Sequence, residues 1–412
     1  MPVRHAASLA HLQPGKHHIG LNLIFLVPGE TGGMEVAARE VIPALVSGAP
    51  QMRFTAFINR EAAAAKDGPW GELLPAVTVP VSARNRVQWV LGEQTLLPLL
   101  AARAGVQLVH SMASTAPLWG RFRRVVTVHD LIYARFPDAH AGIRDKGMKL
   151  LVPAGARRSD RVIADSHSTR EDLIALAGIA PERIDVVPLG LGTVKRGAPL
   201  AERDVRARFD LGERRVVLSL SAKRAHKNLL ALLGALARLA PAGRPVLVLP
   251  GYATDHELEL RERARALGID ADVRFPAWVS AAELEGLWAL TSAFVFPSLY
   301  EGFGLPVLEA MARGVPVACS NASSLPEVAG EAALLFDPRD EAAIAQALSR
   351  LLSDPALVEK LRARGLERAR EFTWERSARG TLDSYARALG LAPSGADSAT
   401  VGPAPGESPP AS

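Results

Sequence analysis

Residues 297–328 read PSLYEGFGLPVLEAMARGVPVACSNASSLPEV, and the order of residue types along this stretch decides the fold. The apolar run Ala293-Phe294-Val295-Phe296 leads into it. Pro297 ends that run, because proline cannot donate to a sheet ladder, so a buried strand stops there. Gly302 and Gly304 free the backbone, Pro306 suits an early helical position, and Val307 to Arg313 reads as a short helix closed by Gly314. Val315 to Cys319 is the following strand. The loop and helix start of such a unit lie at the carboxyl end of a parallel sheet, where open α/β sheets bind ligands. Glu301 falls in the loop and Glu309 in about the first turn of the helix. Backbone N–H groups without an intrahelical partner and the helix dipole favour an anion there, and either carboxylate could accept hydrogen bonds from ligand hydroxyls. Each carboxylate taken alone also fits a solvated surface charge.

Working outward, apolar runs alternate with helical stretches, the pattern of doubly wound sheets. Leu21 to Val27 reads as the first strand and runs through Pro28-Gly29-Glu30-Thr31 into Gly32-Gly33 and a helix from near Met34. That glycine pair lets a backbone approach a ligand, although any tight strand-to-helix turn would use it too. Val106–Ser111 and Arg124–Val128 read as strands, and the second delivers His129 to the ligand side of the sheet. A histidine bonded to Asp130 or to backbone is the alternative reading. Arg161–Ser166 is another strand, followed by a helix opened by Ser168-Thr169 with Glu171 completing a capping box. Further on, the strand Arg215–Leu220 feeds Lys223, Arg224 and Lys227 to a helix start. Cations there suit a phosphate, though surface lysines and arginines occur anywhere. The expected boundaries are a disordered segment 1–18, Rossmann-like domains over 19–195 and 196–372, a helix 373–390 returning to the first domain, and a disordered Pro/Gly/Ser-rich tail 391–412.

Composition bounds the class. The 412 residues exceed one ordinary core. A single cysteine, Cys319, excludes a disulfide framework. No apolar run is long enough for a membrane span and the N-terminus lacks an export signal, so a cytoplasmic location is expected. Residues 1–195 carry 22 Lys and Arg against 16 Asp and Glu, while the remainder carries 26 against 27. The basic half therefore suits an acidic surface such as an anionic membrane, with cations at Arg121, Arg123 and Arg124 and from Arg144 to Lys149. No zinc-finger spacing, dense basic helix or stacking pattern points to nucleic acid.

Spelled EGFGLPVLEA, with PSLY before it and MARGVPV after it, the central stretch closely resembles the donor-binding signature of family 4 glycosyltransferases, retaining enzymes of the GT-B fold. The similarity runs over about residues 20–389. It implies two facing Rossmann-like domains with the site in a central cleft, the nucleotide-sugar on the C-terminal domain and the acceptor on the N-terminal one. It implies that Lys227, with Arg224 or Lys223, holds the diphosphate and that Glu309 holds ribose. Glu301 with the backbone of Gly302, Phe303, Gly304 and Leu305 would hold the donor sugar. His129 would contact that sugar, and Gly32 and Gly33 would lie between diphosphate and acceptor. Ser221-Ala222 departs from the family's usual Gly-Arg or Gly-Thr, which leaves the usual diphosphate arginine unassigned. TVHDLIYARFP, AHKNL and SNASSLPEVAGEAALLFDP look most like bacterial polysaccharide mannosyltransferases. The implied reaction transfers a sugar, with GDP-mannose the first choice of donor, to a glycan or lipid-linked acceptor, without metal or other cofactor, in the cytoplasm or at the inner membrane face. A nucleotide-sugar 2-epimerase and a degenerate nucleotide-sugar-binding protein are the alternatives.

Overall fold

The computed structural model describes residues 15–65, 68–136, 143–191, 198–252 and 254–391. The expected disordered segments therefore lie almost wholly outside the described residues. The described residues up to 191, together with those from Phe372 on, form one compact unit, and those from 198 to Glu371 form a second.

The first unit holds a seven-stranded sheet of order β3-β2-β1-β4-β5-β6-β7, every pair parallel. Its strands are β1 (His18–Leu23), β2 (Arg53–Ile58), β3 (Ala76–Thr78), β4 (Leu108–Ser111), β5 (Arg123–Val128), β6 (Arg161–Ala164) and β7 (Ile184–Val186). Helices cover both faces, so β1 is buried at all six positions. The chain order reverses between β1 and β4, which places a topological switch point at their carboxyl ends. β1 ends four residues earlier than its apolar run. Asn59 donates to the carbonyls of Ile24 (3.0 Å) and Leu26 (2.7 Å), so residues 24–27 stay buried while a side-chain amide takes the place of the ladder. The helix after β6 starts at His167, not at Ser168-Thr169, and its cap is Ser166, whose hydroxyl accepts from the Thr169 N–H.

The helix Trp374–Leu389 belongs to this unit. Its buried stripe of Trp374, Ala378, Leu382, Tyr385 and Ala388 joins the core of Ile42, Leu45 and Ile163. Asp185, at the end of the sheet, accepts from Ser384 (2.6 Å) and pairs with Arg387 (2.9 Å). Apolar burial and polar contacts thus fix the same face of the helix.

The second unit repeats the winding with six parallel strands of order β10-β9-β8-β11-β12-β13. They are β8 (Val216–Leu218), β9 (Val246–Val248), β10 (Val273–Arg274), β11 (Thr291–Phe296), β12 (Val317–Ser320) and β13 (Ala333–Phe336). Its switch point lies between β8 and β11. The helix between β11 and β12 is Leu305–Ala312, two residues earlier than its expected start, because Gly304 at φ 115° turns the chain into the helix at once.

Candidate active site

The second unit brings the central stretch and the cation cluster together at its switch point. β8 leads into residues 219–224 and a single turn, Ala225–Lys227. Asn228 follows in the left-handed region at φ 56° and donates to the carbonyls of Pro297 (3.1 Å) and Pro338 (2.6 Å). One amide thereby ties the loop after β8 to the ends of β11 and β13, a role no sequence motif announces. The Leu299 N–H donates to the His226 carbonyl at 2.8 Å, adding a second tie. Lys227 is consequently delivered to Glu301, Nζ to Oε1 2.6 Å, with both side chains mostly buried. The ammonium also sits 5.6 Å from the centroid of the Phe296 ring.

The loop itself is held from below. Ser323, at φ 50°, accepts the Glu301 N–H at 2.8 Å. Ser324 is fully buried and its hydroxyl faces the carbonyls of Glu301 (2.9 Å) and Phe303 (2.6 Å). The segment SNASS after β12 thus fixes the backbone of residues 301–303, and Leu305 opens the helix beyond it.

Glu309 requires a correction. The helix begins at Leu305, so Glu309 stands in its second turn, away from the unpaired N–H groups of the helix start. Its carboxyl is half-buried and pushed up by burial, with Arg313 opposing and Glu285 adding to the shift. Arg313 itself pairs with Glu285, and its guanidinium lies over the Trp288 ring, 5.1 Å from the centroid.

Of the two candidate partners for Lys227, the structure separates one from the other. Lys223 is fully buried, its Nζ donating to the carbonyls of Gly251 (2.7 Å) and Pro276 (3.2 Å) and lying 3.2 Å from Glu257. Its ammonium is a staple inside the unit, and burial, with Glu257 opposing, lowers its pKa. Gly251 is the only residue type that fits there, since a Cβ would come within 2.0 Å of the Ser221 carbonyl oxygen. Arg224 is exposed beside the Ala225–Lys227 turn.

In the first unit the loop after β1 folds on itself. Thr31 Oγ1 accepts the Val27 N–H (2.7 Å) and Glu35 accepts the Gly29 N–H (2.8 Å). Gly32, at φ 68°, caps the helix Gly33–Gly48, and a Cβ on Gly32 or Gly33 would meet no atom within 4 Å. His129 follows β5. Its Nδ1 lies 2.7 Å from Asp165 Oδ2, at the end of β6, and its Nε2 lies 2.9 Å from the Met112 carbonyl, after β4. Asp165, not the neighbouring Asp130, is therefore its carboxylate partner. Burial disfavours the charged ring, but Asp165, the Met112 carbonyl and Asp130 together outweigh it and raise the pKa to about 9. In the basic stretch Arg124 is buried, bonded to the carbonyls of Pro117 (2.9 Å) and Gly120 (2.9 Å), and Arg123 pairs with Asp160 at 2.9 Å. These two cations are internal or paired, leaving Arg121 exposed. The side chains of Arg144 and Lys146 lie outside the described residues. Among the described residues no helix is long and apolar enough to cross a membrane.

Two Rossmann-like units with these loops define a glycosyltransferase of the GT-B fold. Residues 31–194 match the family described as Glycosyltransferase Family 4, and residues 202–372 the family described as Glycosyl transferases group 1. The chain belongs to this glycosyltransferase family. It is 33% identical over 270 residues to the O-antigen chain mannosyltransferase B of Escherichia coli, which covers 64% of this chain and 70% of that one. It is 31% identical over 279 residues to the serotype-specific mannosyltransferase WbdA of the same species, 65% of this chain but only 34% of that longer protein. The sucrose-phosphate synthase structure from Thermosynechococcus elongatus superposes with a TM-score of 0.72 at 21% identity, over 91% of this chain and all of that one.

Proposed function

We propose that this glycosyltransferase moves mannose from GDP-mannose to a glycan or lipid-linked acceptor, with retention of anomeric configuration, in bacterial polysaccharide or lipopolysaccharide assembly. The observation that carries the donor site is the convergence of Lys227 and Glu301 at the switch point between β8 and β11, 2.6 Å apart and mostly shielded from water. A cation there stabilises a departing diphosphate, and a carboxylate beside it accepts sugar hydroxyls. Lys227 and exposed Arg224 are assigned to the diphosphate, and Glu301 with the backbone of residues 302–305 to the sugar. Glu309 keeps its assignment to the ribose. In the first unit, His129 is assigned to the reacting sugar and the Gly32-Gly33 turn to the diphosphate and acceptor. Mannose is supported by the names of the relatives, both mannosyltransferases.

Fixed cations and helix termini supply the electrostatic stabilisation, so the reaction is proposed to need no metal. Turnover should be unchanged by a chelator. The enzyme is placed in the cytoplasm, touching the inner membrane face reversibly through its first unit. Arg121 and Lys149 supply exposed charge there, and Val87, Leu91, Trp119 and Leu150 exposed apolar surface. Binding to anionic vesicles at low salt and none to neutral vesicles is the expected outcome.

The deciding experiment mixes the protein with GDP-mannose and alkyl mannoside acceptors and reads the new linkage by NMR. An α-linked mannoside is expected, since the donor is α-configured. A β-linked product would overturn retention. Inversion of the donor's C2 configuration without acceptor would assign an epimerase instead, and tight donor binding without turnover a binding protein.

A further inference from the structure

His129 has two ring nitrogens, and each faces an oxygen acceptor. A carbonyl can only accept, so Nε2 donates its proton to Met112 O at 2.9 Å. Nδ1 faces Asp165 Oδ2 at 2.7 Å, and one proton lies between the two atoms. The ring is therefore held in one orientation by partners on two different strand ends. Asp165 is 2% exposed, and among the described residues no Lys or Arg pairs with it. Its Oδ1 has no protein donor, and Asp165 and His129 together line a cavity of about 30 Å³ whose walls, Ala37, Val41, Ile163 and Trp374 among them, are mainly apolar.

The other ionisable groups near the ring do not supply the missing counter-charge. His110 is buried and neutral, its pKa lowered to about 3 by burial and by the His129 charge, and its nitrogens meet Tyr385 Oη and Thr127 Oγ1. Asp130 is adjacent in the chain and adds to the field on His129, on Asp165 and on Tyr133. Burial raises the Tyr385 phenol far above its ordinary range. Among the described residues Asp165 is thus the one buried carboxylate in hydrogen-bond contact with the ring.

We propose that Asp165 is a positioning residue for the transfer reaction: it locks the His129 ring and holds its second N–H in place, so that the reacting sugar meets a fixed imidazolium. The proposal rests on His129 acting in the reaction, as assigned above. Nothing in the residue order 129 and 165 marks the pair. Parallel pairing of β5 with β6, Val128 opposite Ala164, brings the two strand ends side by side.

Asp165→Asn is the informative change, because an asparagine Nδ2–H can still donate to Nδ1 and keep the ring in place while the ring becomes neutral. Imidazole NMR of the full chain reads the charge without any turnover. The wild-type His129 signal should stay that of a charged ring between about pH 5.5 and 8, well beyond a free histidine. In Asp165→Asn it should be neutral at pH 7.5. With GDP-mannose as the probe, kcat should fall on the order of 100-fold at pH 7.5 with donor KM within threefold. Asp165→Glu should recover part of that loss, and the Asn variant should regain activity as pH is lowered. A neutral ring in the wild type at pH 7, or an Asn variant whose ring stays charged and whose pH profile is unmoved, overturns the proposal. If instead the NMR behaves as expected but His129→Gln leaves kcat unchanged, the assignment of His129 to the reaction fails and the ion pair is structural.

Discussion

Replacing Gly304 by alanine tests how the central loop is built. Gly304 has φ 115°, a region that L-residues enter at a cost of about 1–3 kcal/mol. An added Cβ would come within 2.7 Å of Leu325 Cδ2. Leu325 is fully buried beneath the loop, so it can swing aside only by displacing its neighbours, which adds about 1 kcal/mol or more. A combined loss of roughly 2–4 kcal/mol follows, or about 4–16 °C in the melting temperature of a unit this size. The loop must also shift relative to Ser324, which binds the carbonyls of Glu301 and Phe303, so donor affinity should fall along with stability. Differential scanning calorimetry and nucleotide titration of the same sample measure both. A variant melting within 1 °C of wild type with unchanged donor affinity would refute the reasoning.

Lys227→Met and Glu301→Gln, with the double variant, form a cycle. For melting, the coupling should be about 1–3 kcal/mol, since either single change leaves a shielded charge unpaired. Lys227→Met should also weaken free nucleoside diphosphate binding, whereas Glu301→Gln should mainly lower kcat. Cys319 is buried in β12 with its thiol pushed up to about 12 by burial, so a thiol reagent should label it only after unfolding. The pKa of His129 rises from 6.5 to about 9 on folding. Its contribution to stability is therefore complete below about pH 6.5 and lost as pH climbs towards 9. Denaturant midpoints measured across that window should decline, and decline less in His129→Gln.

The winding of both units was legible because strand ends are marked by residues that forbid continuation, as at Pro297, and because buried parallel strands are near-continuously apolar. β2 carries no such mark, since Arg53–Ile58 mixes Thr55 into its apolar residues without a stop signal like that of Pro297. The helix around Glu309 starts two residues before Val307, its first apolar anchor in the sequence pattern, because backbone geometry at Gly304 sets the start. Lys223 and Arg224 were equivalent in sequence as partners of Lys227. Burial separated them, since only Lys223 meets the Gly251 and Pro276 carbonyls, contacts made by chain segments 28 and 53 residues away. Asn228, Ser324 and Asp165 carry the loop geometry through long-range bonds that no local spacing encodes.

Residues at the β8–β11 switch point are proposed to hold a nucleoside diphosphate sugar. Release of nucleoside diphosphate from a panel of donors, followed for the wild type and Lys227→Met side by side, tests this proposal most directly. Slow release of GDP from GDP-mannose by the wild type is expected, exceeding release from UDP-glucose, UDP-N-acetylglucosamine and GDP-fucose, with loss of that release in Lys227→Met. Equal release by the two proteins, or neither release nor thermal stabilisation with any donor in the panel, would contradict it.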